Sequence, residues 1–573
     1  MGGSKVAKKT ISIGAQLFDE LRENDCLYID KTDFIREWWD SKDKVTLITR
    51  PRRFGKTLNM STLNCFFSNR YKGRDDLFNG LSIWENERYR AIQGMYPVIF
   101  MTFAEVKFRD FETTRKAING LIADKYDEYR SCLDYDGFSD YDKRKYDSVC
   151  EDMPDQIASK SIAMLCGFLE RRYGRKCIVL LDEYDTPMQE AYLNGFWDDL
   201  AAYMRTLFGN TFKTNNHLER GLMTGITRIS KESIFSDLNN LNVVTTTSYE
   251  YETSFGFTEE EVFAAMDEQE IPSSEKEKVK YWYDGFTFGR VTDIYNPWSV
   301  TMYLDKQKYE PYWADTSSNG LVAALLQKGN PKVKMDFEML LNGEGIEVEL
   351  DEQIIFSQLL QKKNAIWSLL LAAGYLKVVK VDPDRGADAG KASLYTLALT
   401  NLEVKSMFRN LVLGWFDQDH SFGDFVSAMF AGNVREMNYY MNEVALNTFS
   451  YFDAGNRPSE RKEPERFYHG FVLGLMVDKA ENYIVKSNRE SGLGRYDVVM
   501  EPKDIRDVAV IMEFKVFDRE DKEETLEDTA RNALRQIAEK RYETDMLQRG
   551  IPDERIYRYG FAFEGEKCLI RKG

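Results

Sequence analysis

The sequence holds only three histidines in 573 residues, His217, His420 and His469, and they stand far apart. Its seven cysteines, Cys26, Cys65, Cys132, Cys150, Cys166, Cys177 and Cys568, occur singly, with no CxxC pair. A zinc site built from His and Cys is therefore not expected, and an odd set of unpaired thiols fits a reducing compartment. Long hydrophobic runs are missing too. The longest stretch worth testing, residues 366–376, falls far short of a membrane span. The opening MGGSKVAKKT leads into no apolar signal segment, and Val6 stands where myristoylation needs Ser or Thr. Excess positive charge is also absent, since 77 Lys and Arg face 94 Asp and Glu for a formal net charge of -17. That excludes an overall basic coat for nucleic acid but leaves room for one local basic groove. The absences together predict a cytoplasmic protein without membrane attachment.

What is present is core-forming material. The chain is 43% hydrophobic and 13% aromatic, which argues against disorder. Its length calls for roughly three or four domains. Residues 45–49 (VTLIT), 98–102 (VIFMT) and 177–181 (CIVLL) are short apolar runs separated by helical patterns. That alternation predicts a parallel sheet with helices on its faces. Residues 131–156, crowded with Asp, Tyr and Lys, read as a surface insertion. From about residue 300 the pattern changes: a helical stretch at 353–373 leads into KVVKVD, a Gly/Asp-rich loop and SLYTLALT. A helix followed by a hairpin with a long polar tip predicts a winged-helix-like module. DAGNRPSERKEP (453–464) has the composition of a boundary. The expected plan is α/β and multidomain, with domains at 1–295, 296–452 and 453–573.

The first chemistry lies where VTLIT runs into Arg50-Pro51-Arg52-Arg53-Phe54-Gly55-Lys56-Thr57, with a helix expected from Lys56. A glycine before a helix start lets backbone N–H groups approach a phosphate, which marks a P-loop of the Walker A kind. Lys56 would meet the β- and γ-phosphates of ATP, and Thr57 would place its hydroxyl on Mg²⁺. Arg53, Phe54 and Gly55 complete the nucleotide-facing loop. The loop departs from GxxxxGK[ST]: Arg50 replaces the first glycine, and Pro51 has no N–H to offer. The strand 178–181 ends in Asp182-Glu183, a Walker B arrangement in which Asp182 holds Mg²⁺ and Glu183 orients the attacking water. Further on, 221–228 reads as a strand ending in polar residues, where Thr227 or Arg228 could sense the γ-phosphate.

The second chemistry is C-terminal. Residues 496–500 and 508–516 read as two strands joined by a turn. Side chains alternate along a strand, so Glu513 and Lys515 share a face, and Asp497 would join them across the hairpin. Two carboxylates and an ammonium in one place suit metal-assisted phosphodiester hydrolysis. Asp497 and Glu513 would ligate Mg²⁺, with Mn²⁺ an alternative, and Lys515 would position water or stabilise negative charge. Taken alone, Glu513 and Lys515 could equally form a surface salt bridge.

Several segments extend the pattern: YIDKTDFI (28–35), TRPRRFGKT (49–57), LLDEYDTP (180–187), YDGFTFG (283–289), IYNPWS (294–299) and YWADTSSN (312–319). With these the chain resembles bacterial AAA-ATPase-like proteins that carry a C-terminal PD-(D/E)XK nuclease domain, over nearly its whole length. That group's loop also lacks the first glycine. The resemblance implies a P-loop NTPase core, a winged-helix-like middle and a nuclease-like α/β end. It adds two residues to the second site: Glu465, in the helix before the strands, as the acidic first motif, and Gln536, followed by Tyr542, as the QIxxKxY segment. The expected function is an ATP-binding hydrolase coupled to a Mg²⁺-dependent nuclease on DNA or RNA. The alternative is a nucleotide-dependent switch or scaffold with a non-cleaving nuclease fold, and a homo-oligomer is compatible with either.

Overall fold

The computed structural model describes residues 8–573 apart from 228–233, 236–237, 315–321, 324, 327–330, 351–363, 383–392, 415–420, 443–473, 475–478, 480, 491–494, 518–522 and 565–566. Two compact units form, residues 1–317 with 345–404, and residues 318–344 with 405–573.

The first unit is built on a five-stranded sheet. Its strands are β1 (Val45–Thr49), β2 (Val98–Thr102), β3 (Cys177–Asp182), β4 (Leu218–Gly225) and β5 (Leu241–Val244), in the order β2-β3-β4-β1-β5. Every pairing is parallel. The three apolar runs of the sequence are thus the strands they promise. β1 and β3 are buried along their whole length, which is why they read as unbroken apolar runs rather than alternating ones. The intervening helices carry their own punctuation. Asp110 caps Phe111–Arg130 by accepting from Thr113 N at 2.8 Å, and Gly174 ends Asp155–Tyr173 in the left-handed region at φ 69°.

Residues 131–156 are more than a surface insertion. Tyr146, 2% exposed, fills a cleft between the two helices, donating its hydroxyl to Tyr126 O and lying against Phe138 and Phe168. The run reads as polar because Tyr146 does the packing of its helix while Tyr141 and the Asp and Lys residues around it face water.

Two small antiparallel sheets complete this unit. β6 (Phe257–Thr258), β7 (Phe286–Phe288) and β8 (Val291–Tyr295) pair in the order β6-β8-β7. β9 (Ile346–Glu349), β10 (Leu376–Asp382) and β11 (Leu394–Leu399) pair in the order β10-β11-β9, behind the buried helix Ala365–Ala372. Of the aromatic stretch 281–286, Tyr283 and Phe286 are core while Tyr281 stays in solvent.

The second unit carries a sheet in sequential order, β12 (Tyr483–Glu490), β13 (Arg495–Pro502), β14 (Ala509–Val516), β15 (Ile556–Glu564) and β16 (Lys567–Lys572). Only β14 with β15 is parallel, and the helix Leu526–Lys540 lies in the crossover between them. That helix starts with a capping box, Thr525 with Asp528.

At the end of the small β6-β8-β7 sheet, Glu259, Asp284 and Asp293 converge around Lys280, with Tyr295 donating to Glu259 at 3.2 Å. Burial, reinforced by the neighbouring Asp293, pushes the Asp284 carboxyl from 3.8 up to about 7. Between those two values the folded chain holds a proton that the unfolded chain has lost, so stability falls as pH rises through that window. Asp284→Asn, which keeps the donor to Asp293 without titrating, is expected to flatten that part of the melting-temperature profile between pH 4 and 7. Parallel profiles for variant and wild type would contradict the assignment.

Candidate functional site

In the N-terminal sheet, β4 lies between β1 and β3, so the C-terminal ends of three strands meet at one place. The outer end of a parallel sheet where connections diverge is where such folds bind ligands. Asp182, at the end of β3, is 1% exposed, and burial raises its pKa. Its carboxylate is satisfied from both neighbours, by Thr57 Oγ1 at 2.6 Å and by the Thr224 hydroxyl at the end of β4. Thr57 opens the helix Lys56–Phe67, whose first turn has no side-chain cap and begins at Gly55 with φ 78°. Nothing stands within 4 Å of where a Gly55 Cβ would be, so the helix start faces an open cradle that suits an anion. Lys56 is buried and donates to the carbonyls of Arg50 and Pro51 at 3.2 and 3.0 Å.

Glu183 follows in the left-handed region at φ 54°, a conformation costing about 1–3 kcal/mol for a non-glycine residue. It accepts from Thr186 Oγ1 at 2.9 Å. Burial works against its charge, but Lys56, the Thr186 bond, Arg52 and Lys107 outweigh it and hold its pKa low. A carboxylate kept ionised beside a buried lysine can orient water or a metal-bound group. Asp185, wholly buried and with a pKa raised by burial, accepts from Thr227 N and Oγ1, both at 2.9 Å, and from Ile226 N and Gln189 Nε2, both at 3.1 Å.

The loop between β1 and its helix is held from outside, which explains how it manages without a first glycine. Arg50, 0% exposed, spends its guanidinium on Thr49 O, Thr245 O, Glu250 O and Tyr251 O and lies 4.6 Å over the Phe288 ring. Burial lowers its pKa to about 9. Phe54 packs edge-on against Phe286 and Phe288 at 4.7 and 5.4 Å. Trp313 Nε1 and Asn296 Nδ2 donate to Arg52 O at 3.1 and 3.5 Å. Gly374 comes so close that a Cβ there would meet Pro51 at 2.9 Å.

In the second unit, Asp497 on β13 pairs in register with Glu513 on β14. Glu513 is 1% exposed, on the strand face that Ala509 and Ile511 share with Ile537 of the covering helix. Gly560, the β15 partner of Glu513, allows that helix in: a Cβ there would stand 2.4 Å from Ala530 O. Lys515 follows two residues on, partly exposed. Gln536, 8% exposed, comes from the helix, and its Nε2 has no hydrogen-bond partner among the described residues. A buried carboxylate opposite an aspartate position suits a hard divalent cation. An unsatisfied buried amide donor on the covering helix suits an oxyanion.

Family models match both units. Residues 12–235 match the AAA-ATPase-like family, described as a predicted AAA-ATPase, and residues 463–573 match the PD-(D/E)XK nuclease superfamily. The chain carries an AAA-ATPase-like domain and a PD-(D/E)XK nuclease-superfamily domain. It is also similar to an "Uncharacterized protein in vnfD 5'region" of Azotobacter chroococcum mcd 1, 25% identical over 413 residues, or 71% of this chain and 70% of that one. These domain types support a nucleotide-binding and nuclease-like protein, and no described helix is long and apolar enough to cross a membrane.

Within the AAA-ATPase-like domain the structure brings Gly55, Lys56, Thr57, Asp182 and Glu183 together. Thr227 belongs instead to Asp185, and Arg53 lies over the Trp298 ring at 4.4 Å. Phe54 is buried in the small sheet rather than facing the cradle. Arg228 lies outside the described residues, as does Glu465 of the nuclease-superfamily domain. For Asp497 only the strand position is described. Sequence reasoning missed Thr224, Arg52 and Lys107, whose partners come from distant segments. Phe54→Ala is expected to cost about 3–5 kcal/mol, the range for emptying a packed phenylalanine site. The check is the denaturant midpoint of the N-terminal unit, which an unchanged value would contradict.

Proposed function

We propose that the protein binds and hydrolyses ATP with Mg²⁺ at the Lys56–Asp182 site, and that this activity is coupled to a Mg²⁺-dependent nuclease acting on DNA or RNA. The observation that carries the first half is the 2.6 Å bond from Thr57 to Asp182 beside the open cradle of Gly55. When bound, Mg²⁺ neutralises phosphate charge and polarises the reacting oxygens. Lys56 exchanges its loop carbonyls for phosphate oxygens, and Glu183 orients the attacking water and accepts its proton. Thr57 and Asp182 would hold the metal. The second half rests on Asp497 opposite Glu513, which would hold Mg²⁺ or Mn²⁺. Lys515 positions the water there, and the Gln536 amide donates to the scissile phosphate. The reading extends to three domains divided near residues 295 and 452, with the helix Ala365–Ala372 and its hairpin as a winged-helix-like module. It places the protein in the cytoplasm, with homo-oligomerisation open to measurement.

Lys56→Ala is expected to abolish or greatly weaken ATP binding in calorimetric titration while the fold survives. Glu183→Gln is expected to bind ATP and release phosphate slowly; wild-type turnover by that variant would remove Glu183 from its role. Purified protein incubated with single- and double-stranded DNA and RNA, with Mg²⁺ or Mn²⁺ and with or without ATP, tests the nuclease. Cleavage is expected in wild type and lost in Glu513→Ala and Lys515→Ala, with ATP hydrolysis intact in both. Wild-type protein that cuts nothing under all these conditions would leave the switch or scaffold reading in its place.

A further inference from the structure

The loop after β1 contains three arginines, and the structure sends each guanidinium to a different place. Arg50 is fully buried and consumed by four backbone carbonyls and an aromatic face, so it is part of the scaffold. Arg53 has a left-handed backbone at φ 64° and stacks on Trp298. Arg52 is held differently. Its backbone is fixed, because Trp313 and Asn296 both donate to its carbonyl. Its side chain, by contrast, makes one long bond, 3.3 Å from Nη2 to the neutral amide oxygen of Gln189, and no ion pair among the described residues. Gln189 in turn donates to Asp185, the carboxylate that binds Thr227.

Arg52 is also close enough to Glu183 to help hold that carboxylate ionised, together with Lys56 and Lys107. A guanidinium on a fixed backbone, near the water-orienting carboxylate and resting on a neutral partner, has a stronger partner to gain. Charge-assisted bonds from arginine to phosphate are roughly twice as strong as neutral ones and can be bidentate.

We propose that Arg52 contacts the terminal phosphate of a bound nucleoside triphosphate, leaving Gln189 to do so, and thereby makes the site prefer triphosphate over diphosphate. The inference rests on the nucleotide reading of this site and adds the residue that distinguishes the two ligands. Lys56 reaches the β-phosphate that both ligands carry as well as the terminal one, whereas a phosphate for Arg52 at the Glu183 end of the cradle comes only with the triphosphate.

The test compares binding of a non-hydrolysable ATP analogue and of ADP, each with Mg²⁺, to the full chain and its variants. Arg52→Ala is expected to lose triphosphate affinity by on the order of 10- to 100-fold, the range for one charge-assisted bond, while ADP affinity moves little. Arg52→Lys recovers part of the preference, and Gln189→Ala, which removes the resting partner together with its bond to Asp185, keeps it. Arg53→Ala shifts both affinities together, as loss of a loop support should. The proposal is overturned if Arg52→Ala weakens both ligands equally, or neither, or if Arg53→Ala alone removes the preference. Those outcomes leave the nucleotide reading standing, because wild type still binds and Lys56→Ala still does not. Wild-type protein that binds neither ligand overturns both.

Discussion

The N-terminal unit depends on the Asp182 carboxylate being buried where β1, β3 and β4 end. A carboxylate in that position costs several kcal/mol unless its oxygens find donors. Here Thr57 and Thr224 supply them, one from the helix after β1 and one from β4. The hydroxyl pair therefore joins three strand ends at a point where a cation would find hard oxygen ligands already assembled. The raised pKa of Asp182 is the expected mark of such a site: its charge is held at a cost that a bound cation would relieve.

The loop beside it solves a backbone problem in an unusual way. Arginine and proline replace the flexibility of a glycine-rich turn, so rigidity comes from neighbours rather than from the loop itself. Arg50 ties it to the segment 245–251, Phe54 to β7, Arg52 O to Trp313, and Pro51 to the turn at Gly374. Ser299 and Trp313 N both bond to Glu403, which fixes Trp313 in turn. Phe286 and Phe288 of YDGFTFG, Asn296 of IYNPWS and Trp313 of YWADTSSN consequently act as supports of the loop after β1. Restraint applied from several elements also means that a change in the loop must be felt by all of them.

Much of this was legible in the sequence, because period and punctuation are local properties. Apolar runs mark β1, β2 and β3, and the two-residue period of β14 puts Glu513 and Lys515 on one face. The register that sets Asp497 opposite Glu513 is supplied by the structure; the sequence offered only the hairpin that makes it possible. What the sequence hid was long-range. Thr224 reaches Asp182 across 42 positions and Arg52 reaches Gln189 across 137, and no local pattern encodes such pairs. Tyr146 was hidden for the opposite reason, since its polar neighbours masked a residue that packs.

The most direct measurement is a structure of the full chain with Mg²⁺ and a non-hydrolysable ATP analogue. The account predicts the triphosphate over Gly55 and the start of the helix, with Lys56 released from the Arg50 and Pro51 carbonyls onto phosphate oxygens. Thr57 and Asp182 should then flank the metal. A nucleotide bound elsewhere, or Lys56 still on its loop carbonyls with the nucleotide in place, would contradict it.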